Sequence, residues 1–247
     1  MSRLRFAVIL TCLAVVLGLG AGLSSASADE TEPAPDPMAG APEVGRCYQA
    51  TLRQAVGESL ALDTVSCKKK HTMWVVATKQ VSASLLEAAD PKELRAVVGR
   101  TCASAVTKAL GKPKWEALSG YRQFWFVPTA GQRAEGARWI SCTVGLLQGK
   151  KLAASKKRKP VRVGAGMPDS VRACATAKWM TTCNAAHRFR AVHAAPVRRI
   201  PNAEAKAQRL AARTCAGKVR TPRFSWNGRI TGKANTIFLV CYAVTRR

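Results

Sequence analysis

Eight cysteines arranged in two sets of four constrain what this chain can fold into more than any other feature of it. The first set is Cys47, Cys67, Cys102 and Cys142; the second is Cys174, Cys183, Cys215 and Cys241. In each set a histidine stands four residues after the second cysteine, as Cys67-Lys-Lys-Lys-His71 and Cys183-Asn-Ala-Ala-His187. The third cysteine of each lies in the same tetrapeptide, Arg-Thr-Cys-Ala, at 100–103 and again at 213–216. Internal similarity in only two copies predicts two related domains, because a solenoid needs more repeats to cover its core.

Residues 1–28 have the layout of a secretory signal. Arg3 and Arg5 open it, an apolar run fills 6–23, and Ala26-Ser27-Ala28 is a small-residue cleavage site. The run is also about long enough for a retained anchor, but Gly18, Gly20, Gly22 and the Ser/Ala tail favour cleavage near Ala28. Cys12 lies inside this run. Export takes the other eight cysteines out of the reducing cytosol, and an even number in two short units reads as a disulfide framework. Zinc is the competing use of Cys-x-x-x-His, but neither set has the close pair-plus-pair spacing of a structural zinc site, so no metal is assigned. Removing 28 of 247 residues leaves 219, which suits two domains of about 100 residues whose small cores need staples. The expected organisation is a signal at 1–28, a disordered leader rich in proline and acid at 29–43, a first domain at 44–148, a basic linker at 149–169 and a second domain at 170–247.

Within the first unit, 65–67 and 72–81 read as strands. A helix follows, with Asp90 as cap, Pro91 at its first position and Glu93 at the capping-box spacing. Its apolar stripe is Leu94, Val97, Val98, Cys102, Ala105, Ala109 and Leu110, and Gly111 ends it. Strands are expected at 123–128 and 139–147, with a polar turn between. The second unit keeps this order: a helix opens at Pro201-Asn202, carries Ala207, Leu210, Ala211 and Cys215 on its stripe and closes at Gly217, and the last strand spans 236–244. The fold class is therefore α+β, two tandem disulfide-stapled domains, each a short antiparallel sheet with one main helix. Each third cysteine lies on a helix stripe and each fourth in a final strand. The simplest bridges join that helix to its sheet, as Cys102–Cys142 and Cys215–Cys241, and leave Cys47–Cys67 and Cys174–Cys183 between neighbouring strands. Four cysteines allow three pairings in each unit.

Gly45-x-Cys47, Cys67-x-x-x-His71, Cys102 and Gly136-x-Arg138-x-x-x-Cys142 resemble the septum-formation-related domain of exported actinobacterial proteins. Residues 44–148 carry most of the resemblance, with Ser66 and Lys70 where the family often has an acidic residue and a proline beside Cys-x-x-x-His, and 170–247 carry it only through cysteines, histidine and helix, without the Gly-x-Arg approach to the last cysteine. The resemblance implies an envelope protein with a place near division or the cell wall, and it brings no catalytic residues or cofactor with it.

The formal net charge of +26 is unevenly spread. Residues 29–147 hold 15 Lys/Arg against 12 Asp/Glu, whereas 148–247 hold 23 Lys/Arg against Asp169 and Glu204 alone. The candidate anion-binding residues are Lys150, Lys151, Lys156, Lys157, Arg158 and Lys159 in the connector, with Arg188, Arg190, Arg198, Arg199, Arg220 and Arg223 beyond it. Outside the membrane such a field meets an anionic membrane surface or a cell-wall polymer. Nucleic acid conflicts with export, although Phe224 and Trp226 among arginines would suit stacking. A solubilising arginine-rich surface is the plain alternative.

Catalysis finds little to use. Glycan hydrolysis needs a pair of carboxylates, and the second unit offers only Asp169 and a helix-capping Glu204. No Cys-x-x-Cys is present for thiol exchange, and no serine elbow precedes a helix. His71 and His187 read as structural histidines whose rings bond backbone beside a disulfide. The expected function is a secreted, non-catalytic envelope protein that needs no cofactor and binds anionic envelope material through its basic second domain. A protein-interaction module with an envelope protein partner is the alternative.

Overall fold

The structure, a computed structural model, describes residues 34–87, 90–221, 223–232 and 236–245. The signal at 1–28 and the start of the leader lie outside these residues. The first unit runs β1 (Cys47–Tyr48), α1 (Leu52–Ala55), β2 (Met73–Gln80), α2 (Ala83–Leu86), α3 (Pro91–Leu110), α4 (Pro113–Ala117), β3 (Tyr121–Phe126), α5 (Ala130–Ala134) and β4 (Trp139–Gln148). After β5 (Lys151–Leu152) the second unit runs β6 (Ala173–Ala175), β7 (Met180–Thr182), β8 (Phe189–Val197), α6 (Glu204–Cys215), β9 (Phe224–Thr231) and β10 (Thr236–Val244). The α+β class is borne out. Sequence reasoning missed α4, and α5 fills part of the expected polar turn, started by a capping box between Thr129 and Gln132.

Local chemistry accounts for α3. The Asp90 side chain accepts from the Lys92 amide at 2.8 Å, and Pro91 presets the first turn. Gly111 ends the helix at φ +126°, where a Cβ would come within 2.9 Å of the Val163 carbonyl oxygen. Glycine is needed there both for the backbone angle and for the approach of a later segment.

Both sheets are antiparallel and share one strand order. The first is β1-β2-β4-β3, with Val65 bridged to Cys47 outside β1 and β5 paired to β4; the second is β7-β6-β8-β10-β9. Each also carries a bulge at the matching place. Val76 is skipped where β2 passes Cys142 and Thr143, and Val192 where β8 passes Cys241 and Tyr242. Extra residues of this kind bend a strand and redirect a side chain.

Strand alternation sorts the core into layers. Ile140 and Cys142 meet Val98 and Cys102 of α3, while the opposite face buries Trp139 with Phe124, Phe126 and Met73. In β10, Leu239 and Cys241 face Ala211 and Cys215 of α6. Phe238, Val240 and Tyr242 point the other way, into a cluster with Val106, Leu110, Leu118, Tyr121, Val144 and Leu146. The described residues from Pro35 onward thus form one compact unit. The two cysteine units, expected as domains with separate small cores, share the largest one, because units this short bury too little apolar surface alone.

Two segments differ from expectation for the same reason. The connector 149–169, expected as a linker, is a strap tied to the first unit. Leu152, Val163 and Met167 are buried, Ser155 pairs with His71 in both directions, and Val163 donates to Leu110 at 2.7 Å. Trp74 Nε1 donates to the Lys157 carbonyl at 2.9 Å, and the Tyr121 hydroxyl accepts from the Val161 amide at 2.9 Å. The leader, expected to be disordered, is seated over 35–43. Met38, Ala39 and Ala41 cover the Trp139 face, whose indole donates to the Ala39 carbonyl at 3.0 Å. Proline-rich composition hides the few small apolar side chains that a nearby tryptophan can hold.

Four disulfides close the frame: Cys47–Cys67, Cys102–Cys142, Cys174–Cys183 and Cys215–Cys241. Each stays within its own unit, in the pairing expected from the cysteines' places on helix and strand.

Candidate functional site

The Cys-x-x-x-His turns are built alike. His71 Nδ1 lies 2.8 Å from the Lys69 carbonyl oxygen, and His187 Nδ1 lies 2.8 Å from that of Ala185. A carbonyl only accepts, so in both rings Nδ1–H donates two residues back and tightens the turn after the disulfide. His71 is wholly buried, edge-on to Trp74 with centroids 4.9 Å apart, and its Nε2 has no hydrogen-bond partner among the described residues. His193 is half-buried on β8; burial, then Lys114 and Lys218, hold its pKa below the ordinary value. Among the described residues no group of three His, Cys, Asp or Glu stands close enough to hold a metal ion.

The junction of the two units holds a charged cluster that sequence reasoning missed. Arg229 of β9 donates to the carbonyls of Ala117 at 3.4 Å, Ser119 at 3.0 Å and Tyr121 at 2.9 Å, closing the end of α4 and the turn after it. Arg122 donates to the Ser119 and Tyr121 carbonyls at 3.3 and 2.8 Å. Beside them Glu116 is 5 % exposed and accepts from Thr107 at 3.3 Å. Burial pushes its carboxyl up to about 7, against the pull of Arg229. Burial and the like charge of Arg229 lower the pKa of Arg122, and burial lowers that of Arg229. Burial also raises the Tyr242 phenol, whose oxygen accepts from Asn227 at 3.1 Å. This cluster locks one unit to the other. No local signal marks Arg229, because its partners lie more than 100 residues away.

The twelve candidate anion-binding residues do not form one patch. All but Arg190 are exposed, and Arg190 is ion-paired with Asp169 at 2.6 Å. Register places Arg190 opposite Ala243, which pairs with Phe224. Arg188 and Arg223 therefore stand at one end of the second sheet, and Arg198 and Arg199 beyond its other end. The nine residues of β8 separate these ends by about 30 Å, several Debye lengths at physiological salt. Lys150 lies over the Trp179 ring at 5.0 Å, and Arg188 over that of Phe189 at 5.5 Å.

What the fold does gather is a groove of about 490 Å³ between α3, the bulge of β2 and the strap. Arg158 and Lys159 stand on its rim with Lys108 and Arg162, two residues that no local signal singles out. Apolar side chains line its inner wall. Ala105 and Ala109, expected on the buried stripe of α3, are half-exposed here, and the buried helix positions are instead Ala103 and Val106 with Val98, Cys102 and Leu110.

Fold and site together define a disulfide-framed α+β protein of an oxidising compartment. The chain belongs to the septum-formation family, whose sequence model matches residues 44–221. That match begins just before β1 and runs through the first unit, the strap and the second unit as far as α6, and β9 and β10, with Cys241, lie beyond it. No curated protein and no solved structure matched the chain.

Proposed function

We propose that the protein is an exported, non-catalytic envelope protein, built from two copies of one disulfide-framed unit, that serves division or wall assembly by binding anionic envelope material. The observation that carries this reading is the strap. Its Lys156, Lys157, Arg158 and Lys159 are exposed, and none meets a carboxylate within ion-pair distance among the described residues. Backbone hydrogen bonds hold the chain beneath them, so these charges are displayed from a fixed scaffold. Holding four like charges together without partners is unfavourable and favours an anion from outside. The non-catalytic part rests on the histidines, whose Nδ1 atoms are committed to backbone, and on the position of Glu116 inside the junction. The exported chain should co-sediment with acidic-lipid vesicles or purified cell wall at about 50 mM salt and lose most of that binding by about 500 mM, where the Debye length falls below about 5 Å. Salt-indifferent retention would favour recognition of a protein partner.

A further inference from the structure

The groove joins two surfaces that the functional reading uses only in part. Its rim carries Lys108 from the last turn of α3 and Arg158, Lys159 and Arg162 from the strap, all exposed. Arg162 donates to the Lys108 carbonyl at 3.3 Å, which holds the strap rim against the helix. Its wall is apolar. The bulge turns Val76 toward the groove, Ala105 and Ala109 present small side chains from α3, and Pro160 closes the strap side. Val44 stands at the mouth, 62 % exposed. A volume near 490 Å³ falls among ligand-sized clefts of about 300–1,000 Å³.

We propose that this groove binds one acidic phospholipid at the membrane surface. The phosphodiester lies against Arg158, Lys159, Lys108 and Arg162, and the glycerol and first acyl carbons lie against Val44, Val76 and the two alanines. This rests on the reading that the protein binds anionic envelope material, and it assigns the place and the ligand class. Charge complementarity alone would serve any polyanion. A phosphorylated or carboxylated wall polymer has no apolar part to cover Val44 or Val76, and contact with it would leave that surface without the gain that comes from removing it from water. An acidic phospholipid satisfies both walls at once.

The test uses the full exported chain with three probes: vesicles of phosphatidylglycerol in phosphatidylcholine, vesicles of phosphatidylcholine alone, and soluble polyphosphate. Arg158→Glu with Lys159→Glu should lower affinity for the acidic vesicles by about tenfold or more. Arg53→Glu with Lys92→Glu makes the same change in charge, and α3 places Lys92 about 24 Å from Lys108, so the loss there should stay under about threefold. Val44→Ser should weaken vesicle binding and leave polyphosphate binding unchanged. These positions are exposed, and matching melting temperatures would show the fold intact. Equal losses in the two double variants, or no effect of Val44→Ser, would overturn the groove while leaving the anionic reading in place. Polyphosphate bound more tightly than the vesicles, with the same dependence on Arg158 and Lys159, would make this a polymer site and overturn the lipid. A parent chain that binds none of the probes would overturn the lipid site, and one that also fails to bind purified cell wall would overturn the anionic reading as well.

Discussion

Glu116 carries a carboxyl buried between the units, with one hydrogen bond from Thr107 and the guanidinium groups of Arg229 and Arg122 nearby. Burial outweighs those charges and raises its pKa from 4.5 to about 7. An acid whose pKa is higher in the folded state binds its proton more tightly there. Stability is then full below about pH 4.5, falls as pH rises toward about 7, and stays low above it. A rise of this size corresponds to about 3 kcal/mol at pH 8. Glu116→Gln should therefore stabilise the protein at pH 8 by about 2–3 kcal/mol, change little at pH 4.5, and flatten the dependence between, as denaturant melts at several pH values would show. No local signal in the sequence marks Glu116. Its environment depends on Arg229, and no window of residues around either one contains the other. His71 and His187 were legible for the opposite reason: each ring bonds a carbonyl two residues away.

The elements were legible wherever their signals are local. The Asp90-Pro91 start and Gly111 stop of α3 stand as expected, and α6 buries Ala207, Ala211 and Cys215 from its expected stripe. Ala105 and Ala109 went astray because alanine suits a buried face and a groove equally well, so periodicity could not separate them. Pairing within each unit makes the disulfides comparable by loop length. Cys102–Cys142 closes 40 residues and Cys174–Cys183 closes 9. Loop entropy assigns them about 4 and about 2.5 kcal/mol. Replacing Cys102 and Cys142 together by alanine should thus lower the melting temperature more than replacing Cys174 and Cys183. The reverse order would mean that the loop of 40 is already ordered in the unfolded chain.

As a whole the molecule should unfold once. Phe238, Val240 and Tyr242 of the second sheet are buried against Leu118, Tyr121 and Leu146 of the first, so parting the units exposes the main core of both. Calorimetry of the intact chain should give a single transition whose van't Hoff and calorimetric enthalpies agree, and residues 148–247 alone should lack cooperative melting. Two separate transitions would mean that the shared core contributes little. Neighbours along the chain were enough to settle the paired cysteine sets, the start and end of α3, the order of strands around each main helix, and the histidine turns; α6 instead starts at Glu204 after an Ala203 without a side-chain cap, past the expected Pro201-Asn202. The α+β class followed, because a helix stripe and alternating strands that share a disulfide have only each other to cover. Long-range packing settled that the two units share a core, that Arg229 reaches across to cap α4, and that Arg158 and Lys159 meet Lys108 at one groove. These facts depend on which surfaces meet after each unit has formed. Apolar composition gives that choice no direction, since hydrophobic attraction has none, and shape and a few long-range hydrogen bonds settle it.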